Sequence, residues 1–390
     1  MPLRVVMLQP SMATYRVPVF RELARRPGID LLVCYGKVRE LRNGEPEGFP
    51  SMYVPYYAFS VPGGGFVWQM APNSLVSPKR CDVLVLSWNV RFLALPLVLL
   101  KSRLLRIPTV LWGHGYSKHE HPFKRSLRSM LARLADAVVF YNYGAADDLA
   151  TNALPRARTF VALNTVDQSP VRVQYDYWSQ RPGDLAAFKA EKRLGEGPNL
   201  LFVSRLMPQN NLSLALQAVD QIRKKHPSVR LLIVGEGDDE ANLKATVARL
   251  GIEHNVSFEG AIYDEAVIAK YFMTADAFVY PKNIGLSLIH AMGYGLPVIT
   301  SDLTSSQNPE IEALVHDDNS LLFAHENLDA LIATILSLHN DKAKKARLSD
   351  NALYTIRERY NVARMVDGLE AAIKLAALNH RKTRALFAPN

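Results

Sequence analysis

The stretch from Tyr280 to Thr300 combines a strand, a tight turn and the start of a helix, and such a junction can bind an anion. The apolar run from Ala277 to Tyr280 predicts a buried strand, Gly285 closes a turn, and Leu286 to Met292 has helical spacing. At this kind of junction, free backbone N–H groups and the positive end of the helix dipole face the ligand. The pattern therefore indicates either a phosphate or diphosphate site or an ordinary βαβ turn without a ligand.

His114 stands at a second place where a side chain could act on a ligand. The residues from Pro108 to Trp112 predict a strand, and the tripeptide Gly-His-Gly follows it. Carboxyl ends of strands in open α/β sheets face the ligand crevice, and the flanking glycines allow close backbone approach. We interpret His114 as functional, the alternative being a structural imidazole with a satisfied hydrogen bond. His119 and His121 follow in a polar loop without carboxylate support, so we expect no metal site there.

The segment from Pro281 to Ile299 carries a longer pattern, Pro-x-x-x-Gly-Leu-Ser-Leu-Ile-x-Ala-Met-x-Tyr-Gly-Leu-Pro-Val-Ile. This pattern resembles the donor-site segment of the family-4 retaining glycosyltransferases, which have the GT-B fold. The resemblance implies that the backbone N–H groups from Ile284 to Ser287 hold the diphosphate of a nucleotide-sugar. It also implies an enzyme that needs no cofactor beyond that donor substrate.

The resembled family carries two glutamates in this segment, at the positions of Lys282 and His290 in this chain. We hypothesise that Lys282 supplies a positive charge to the donor pocket and contributes to catalysis. His290 could hydrogen-bond the ribose hydroxyls of the donor, or it could be a packed histidine of the helix.

A second loop resembles the Gly-Arg-Leu…Lys-Gly loop of the same family. Arg205 matches the arginine that holds the donor diphosphate, for which a guanidinium is suited by two parallel hydrogen bonds. The alternative for Arg205 is a surface ion pair. Asn210 and Asn211 replace the family's lysine and glycine, so Asn210 can donate a hydrogen bond to the donor but brings no charge.

Two further turns are predicted to line the nucleotide. Gly235 and Gly237 follow a predicted strand, and we interpret them as a turn that lets the backbone approach the nucleotide closely. The third glycine of a nicotinamide-binding motif is absent, so a nicotinamide site is not favoured. The segment from Gly260 to Tyr263 is expected at the nucleobase edge, where Ile262 and Tyr263 offer apolar surface to a base.

The acceptor is expected to bind to the first half of the chain. Tyr15 and Arg16 end the loop after the first predicted strand, and Trp68 and Gln69 follow the glycine run 63–65. We assign these four residues to acceptor binding. The alternative for the glycine-rich segment is an ordinary surface loop.

Alternation of strands and helices predicts the elements that position these residues. The rhythm is typical of doubly wound parallel sheets, and with the resemblance it predicts an α/β protein of two Rossmann-like domains facing each other across a cleft. We place the N-terminal acceptor-binding domain at 1–168 and the nucleotide-sugar-binding domain at 169–366. The final helix, within 367–390, is expected to cross back to the first domain. Residues 168–183 are interpreted as a linker, and 35–80 as irregular.

Charge distribution indicates an anionic partner for the first half. The net charge is +9 and is concentrated in the first 200 residues, and eight basic residues lie between Lys101 and Arg133. The helix from Phe123 to Leu134 is predicted to be amphipathic, and its apolar stripe either contacts an anionic membrane surface or packs into the core. No nucleic-acid module is visible, and the chain lacks a run long enough to span a bilayer.

Together these features predict a metal-independent retaining glycosyltransferase with a glycan or lipid-linked acceptor, acting in surface polysaccharide assembly. Two cysteines and a globular composition favour the cytoplasm, with peripheral attachment to the inner face of the membrane. Two alternatives remain open. One is a GT-B nucleotide-sugar epimerase, and the other is a non-catalytic relative that binds a nucleotide-sugar.

Overall fold

The computed structural model describes residues 1–37, 43–55, 57–61, 64–69, 75–115 and 122–386. The chain divides into two compact units, one formed by Met1–Asn164 with Val362–Asn390 and the other by Thr165–Asn361. Each unit contains its own parallel sheet with helices packed on it. Of the helices described, none has the length and apolar character needed to cross a membrane.

Strands of the first unit form a seven-stranded parallel sheet and a separate hairpin. Within the described residues they are β1 Leu3–Gln9, β2 Ile29–Tyr35, β3 Ser51–Tyr53, β4 Tyr57–Val61, β5 Gly64–Trp68, β6 Val83–Ser87, β7 Thr109–Gly113, β8 Ala137–Phe140 and β9 Thr159–Val161. The sheet order is β3-β2-β1-β6-β7-β8-β9, and β4 pairs with β5 in antiparallel orientation. The carboxyl ends of β1, β6 and β7 are therefore neighbours at one edge of the sheet.

Helices cover both faces of this sheet. In chain order they are α1 Val17–Ala24, α2 Leu95–Leu104, α3 Pro122–Leu134 and α4 Tyr143–Asn152. Val5 and Met7 of β1 pack in one cluster with Phe20 of α1, whereas Val6 and Leu8 belong to the cluster on the other face. Successive strand residues point to opposite faces, so a strand buried on both sides is apolar throughout.

The second unit repeats the architecture with six parallel strands. They are β10 Asn199–Val203, β11 Arg230–Val234, β12 Val256–Phe258, β13 Ala277–Val279, β14 Val298–Ser301 and β15 Ser320–Phe323, in the order β12-β11-β10-β13-β14-β15. Its helices are α5 Ser169–Ser179, α6 Pro182–Glu191, α7 Leu212–Ile222, α8 Glu240–Leu250, α9 Glu265–Thr274, α10 Ser287–Gly293, α11 Leu328–Asn340 and α12 Lys342–Glu358. In this order β10 lies between β11 and β13, so the loops that follow these three strands are adjacent.

The last helix, α13 Val362–Leu386, packs on the first unit. Met365, Leu369 and Ile373 are fully buried in the cluster that also holds α1. A Cβ added at Gly368 would lie only 2.0 Å from the carbonyl oxygen of Val161, so a glycine lets α13 approach β9 closely.

Two expectations about local structure were wrong. Residues 168–183 are not a linker, because α5 occupies most of them and Pro170 and Pro182 stand in the first turns of α5 and α6. The N–H groups in the first turn of a helix have no acceptor within the helix, so proline, which lacks an N–H, is well tolerated there. A proline can therefore mark the start of a helix as readily as its end. Residues 35–80 are not irregular throughout, since β3 and the hairpin of β4 and β5 lie there. Gly63 of the glycine run lies outside the described residues.

Candidate functional site

The loops after β10 and β11 are packed backbone against backbone. A Cβ added at Gly235 would lie 1.9 Å from the carbonyl oxygen of Ser204, and one at Gly237 would lie 2.2 Å from that of Leu206. Only glycine fits this approach, and Gly235 also has φ of +143°. The glycines therefore brace the loop that carries Arg205, whose side chain is exposed. Contact of the glycines with a nucleotide stays a prediction.

A chain of asparagines joins the Arg205 loop to the turn after β13. The Asn210 amide nitrogen donates to the carbonyl oxygen of Arg205 at 2.8 Å, and its oxygen accepts from Asn283 at 3.2 Å. Asn308 in turn donates to the carbonyl oxygen of Asn283 at 2.9 Å. Asn210 is only 2% exposed. It positions both loops, and a ligand could take its hydrogen bonds only by displacing these partners.

The turn before α10 has one amide already in use. The N–H of Ile284 donates to the side-chain oxygen of buried Gln307 at 2.8 Å, so this N–H is not available to a ligand. The N–H groups of Gly285 and Leu286 have no backbone acceptor within the described residues, and Ser287 begins α10, where amides lack an intrahelical partner. The amides from Gly285 to Ser287 can therefore bind an anion.

Lys282 is engaged in an ion pair. Its Nζ lies 2.9 Å from Oε1 of Glu326, and both side chains are partly exposed. The hydrogen bond and charge of Lys282 lower the pKa of Glu326. Any phosphate that binds Lys282 must therefore compete with Glu326.

His290 is half-buried and packs in a cluster with half-buried Glu265 and buried Tyr294. Its Nε2 lies 2.7 Å from Oε1 of Glu265, and the Tyr294 hydroxyl donates to the same oxygen at 2.5 Å. Burial opposes the charged form of Glu265, but the hydrogen bonds from His290 and Tyr294 prevail and lower its pKa. Phe272 stacks on Tyr294 with ring centroids 5.1 Å apart. Sequence reasoning missed Glu265 and Gln307, because neither lies in a recognisable pattern.

The segment expected at the nucleobase edge is open to solvent. Tyr263 is 75% exposed and Ile262 is half-buried. The N–H of Ala261 makes a long contact of 3.4 Å with the carboxylate of Glu236, which connects this segment to the glycine turn after β11. An exposed aromatic ring at this place can stack on a base.

His114 follows β7 directly, as predicted. A Cβ added at Gly113 would lie 2.7 Å from the carbonyl oxygen of Trp88, and one at Gly115 would lie 3.0 Å from the ring of Phe140. These glycines therefore pack against the unit's own core. The His114 ring itself is exposed and lies beside Tyr141, with centroids 4.5 Å apart.

Two buried arginines flank His114. Cζ of Arg16 lies 4.8 Å and 4.7 Å from the ring centroids of Trp112 and Tyr141, and Arg128 donates to the carbonyl oxygen of Gly115. Although the His114 ring reaches solvent, dense protein surrounds it, and this desolvation, followed by the charges of both arginines, lowers its pKa to about 4. His114 is therefore neutral near pH 7 and can accept a proton or a hydrogen bond.

The other residues assigned to the acceptor are placed differently from one another. Tyr15 is 37% exposed and Trp68 is half-buried at the end of β5. Gln69 is buried, and its amide donates to the carbonyl oxygen of Gln9 at 3.1 Å. Gln69 thus fixes the end of β5 to the end of β1, and its contact with an acceptor stays a prediction.

A metal site would need several His, Cys, Asp or Glu side chains that converge on one point. In the described part of the chain, no group of three or more His, Cys, Asp or Glu side chains is arranged to hold a metal ion. His119 and His121 lie outside the described residues.

Part of the second unit is similar to a known protein family. Residues 186–354 match the family described as glycosyl transferases group 1. The D-inositol 3-phosphate glycosyltransferase of Segniliparus rotundus is 30% identical over 207 residues, which are 50% of this chain and 44% of the relative. A GDP-mannose-dependent alpha-(1-6)-phosphatidylinositol monomannoside mannosyltransferase of Mycobacterium tuberculosis is 25% identical over 264 residues, which are 64% of this chain and 66% of the relative. This chain therefore spans less than two thirds of the length of both relatives.

Solved structures share the fold over nearly the whole chain. The crystal structure of Anabaena HepE in complex with UDP has a TM-score of 0.71 at 18% identity, and the likeness covers 95% of this chain and 100% of that chain. The expected fold class is confirmed, and the family match agrees with the resemblance that the sequence shows. Residues 186–354 match the group 1 glycosyl transferases, the family-4 type that the sequence resembles, and the chain has the GT-B fold.

Proposed function

We propose that this protein is a retaining glycosyltransferase that moves a sugar from a nucleotide-sugar to a glycan or lipid-linked acceptor. The observation that carries the proposal is the joining of the Arg205 loop to the turn after β13 through Asn210. A guanidinium and the amides from Gly285 to Ser287 are thereby held on adjacent loops of one sheet edge. A diphosphate is the ligand that this combination suits.

In the proposed reaction the second unit stabilises the departing nucleotide. Negative charge develops on the diphosphate as the bond to the sugar breaks, and donors fixed in advance stabilise that charge most effectively. Arg205 supplies charge, and the amides supply oriented dipoles. Retention of configuration follows from attack of the acceptor on the face that the nucleotide leaves, with no covalent intermediate required.

The first unit is proposed to bind the acceptor. His114 is neutral near pH 7 because its pKa is lowered to about 4, so it can accept a hydrogen bond from an acceptor or sugar hydroxyl. Relatives named for inositol and phosphatidylinositol substrates support an acceptor of the lipid-linked or polyol type. Action in surface polysaccharide assembly is part of this proposal.

We also propose attachment to the inner face of the membrane through α2. Most of the described stripe of α3 packs into the core: Leu131 is 1% exposed and Leu127 and Leu134 pack against the same cluster, although Met130 is 51% exposed. A more continuous stripe runs along one face of α2 and begins two residues before the helix. Its four leucines are each 45–77% exposed, namely Leu93, Leu97, Leu100 and Leu104. Arg103 and Arg106 beside this stripe are exposed and can meet anionic headgroups. We propose a cytoplasmic enzyme on this basis.

The central test is a donor and acceptor screen. Purified protein would be incubated with UDP-, GDP- and dTDP-sugars and with a phosphatidylinositol or polyprenyl-phosphate acceptor, and the product would be analysed by mass spectrometry and by NMR of its anomeric carbon. The proposal predicts transfer from one donor with retained configuration. An inverted product, or a sugar epimerised without transfer, would overturn it.

A non-catalytic nucleotide-sugar-binding protein is the second candidate. It is favoured by Lys282 and His290, since each is paired with a glutamate and neither carries the carboxylate of the resembled family. Tight binding of a nucleotide-sugar without turnover, across the whole acceptor panel, would identify this alternative.

A further inference from the structure

Arg16 is a buried cation that is surrounded by aromatic rings. Its side chain is 6% exposed, and its guanidinium lies over the rings of Tyr15, Trp112 and Tyr141 with Cζ 4.7–5.0 Å from their centroids. Nη1 also points to the sulfur of Met365 at 3.5 Å. Among the residues that the structure describes, no carboxylate forms an ion pair with Arg16. Aromatic faces and a thioether compensate only weakly for the lost hydration of a buried charge.

The surroundings add further positive charge. Arg128 is 8% exposed and is bound to the carbonyl oxygen of Gly115, one residue after His114. Charges of both arginines act on the His114 ring. Arg16 is buried without an ion pair among the described residues and lies near a second buried cation, so an anion that neutralises the charge of Arg16 is favoured here.

We infer that Arg16 binds an anionic group of the acceptor, a phosphate or a carboxylate, beside His114. The inference rests on the proposed transferase function and narrows its acceptor to an acidic molecule. The aromatic rings hold the planar guanidinium in place, so its N–H groups are oriented before the ligand arrives. We assign the anion to the acceptor because the donor diphosphate already has Arg205 and the α10 amides, whereas Arg16 belongs to the unit that carries His114.

Binding can be measured without any transfer reaction. Isothermal titration of the full-length protein would compare phenyl phosphate, benzoate and neutral benzyl alcohol, each with and without saturating UDP. Arg16→Met removes the charge and keeps an apolar stem beside Trp112, and Arg16→Lys keeps the charge but loses the planar fork. Arg25→Met, an exposed arginine just after α1, is the matched control. Circular dichroism and thermal melting would verify that each variant is folded.

The inference predicts that phenyl phosphate or benzoate binds and benzyl alcohol does not. Arg16→Met should weaken the binding at least tenfold, Arg16→Lys should weaken it less, and Arg25→Met should leave it unchanged. UDP should not displace the anion. Equal binding by wild type and Arg16→Met, or no anion binding by wild type, would overturn the inference. Displacement by UDP would assign Arg16 to the donor and also overturn it, whereas failure of sugar transfer alone would count only against the proposed function.

Discussion

Nε2 of His290 lies 2.7 Å from the carboxylate of Glu265, although the two residues come from different helices. Position 290 is where the resembled family has a glutamate. In this chain a base stands there, and the carboxylate comes from the first residue of α9. Tyr294 donates to the same oxygen, so the carboxylate is held from two sides.

At position 282, too, a base replaces the family's glutamate and a carboxylate from another element lies beside it. Lys282 replaces the family's other glutamate, and it is paired at 2.9 Å with Glu326, which follows β15. Each missing carboxylate is therefore accompanied by a base and by a glutamate from elsewhere in the fold. The net charge of each pair is close to neutral when the base is protonated, so the pocket is not simply converted from acidic to basic.

Glu265→Gln tests whether the recruited carboxylate contacts the donor. Loss of a charged hydrogen-bond acceptor should raise the donor KM by about tenfold, with a smaller effect on kcat, because binding to the nucleotide is lost in ground and transition states alike. Steady-state kinetics at varied donor concentration would measure both constants. Glu253→Gln, an exposed position of the same unit, is the control. An unchanged donor KM would limit Glu265 to a structural role.

Lys282→Ala and Glu326→Gln separate a catalytic lysine from a surface ion pair. If Lys282 stabilises the leaving diphosphate, Lys282→Ala should lower kcat by about tenfold or more, and Glu326→Gln should preserve or raise it by releasing the lysine. If the pair is only structural, its partly exposed setting makes both effects small. Single-turnover rates of the two variants and of the double variant would decide, and equal rates in all of them would exclude a catalytic Lys282.

The strand framework could be predicted from the sequence because its strands are buried on both faces. Runs such as Val83 to Leu86 and Val110 to Trp112 are apolar throughout, which is the signature of a parallel sheet. Their ends then locate the loops, and His114 and the turn before α10 were placed correctly for this reason. Prolines misled the prediction at α5, because Pro170 stands in the first turn of this helix and not in a linker.

Partners within the site could not be predicted, because they are set by tertiary contacts. Gln307 meets Ile284 across 23 positions of the chain, and Glu326 meets Lys282 across 44. Nothing in a single sequence specifies which of many polar residues will end near a given amide or lysine. The same holds for Asn210, whose hydrogen bonds to Arg205 and Asn283 brace two loops, while its contact with a donor stays a prediction.

Substitution of Arg205 is expected to lower the catalytic efficiency with the sugar donor more than any other substitution in the site. Arg205→Ala should lower kcat/KM by about a hundredfold, which is the effect expected when a hydrogen-bond donor to the developing charge is removed. Arg205→Lys should restore part of the lost kcat/KM. Arg249→Ala, at an exposed arginine of α8, is the control. Initial rates with the donor found in the screen would be compared. A loss below threefold for Arg205→Ala would contradict its assignment to the diphosphate.

The leucine stripe of α2 should govern membrane attachment. Changing Leu97 and Leu100 to Asn should weaken binding to vesicles of anionic phosphatidylglycerol by about tenfold or more, since each leucine would no longer bury its side chain in lipid. Vesicle sedimentation would measure the bound fraction, with Tyr354→Asn, an exposed apolar residue of the second unit, as control. Equal vesicle binding by the wild type and by the Leu97 and Leu100 variant would show that α2 does not insert into the membrane.

The lowered pKa of His114 predicts an unusual acid limit for activity. An unperturbed histidine titrates near 6.5, whereas His114 titrates at about 4, so kcat/KM should stay level from pH 7 to pH 5 and decline only near pH 4. The unfolded chain binds the His114 proton between these two values and the folded chain does not. This residue therefore makes the folded state less stable as pH falls through that window, and the penalty is absent above about pH 6.5.

Removing the charge at Arg16 tests the cause of this shift. In Arg16→Met the repulsion from Arg16 is absent while desolvation and the charge of Arg128 remain, so the pKa of His114 should rise part of the way toward 6.5. NMR titration of the histidine ring protons, with His114→Asn to assign the signal, would follow the change. The pH profile of activity should move in the same direction. A His114 signal that titrates at 6.5 in the wild type would show that the ring is not held neutral by its surroundings.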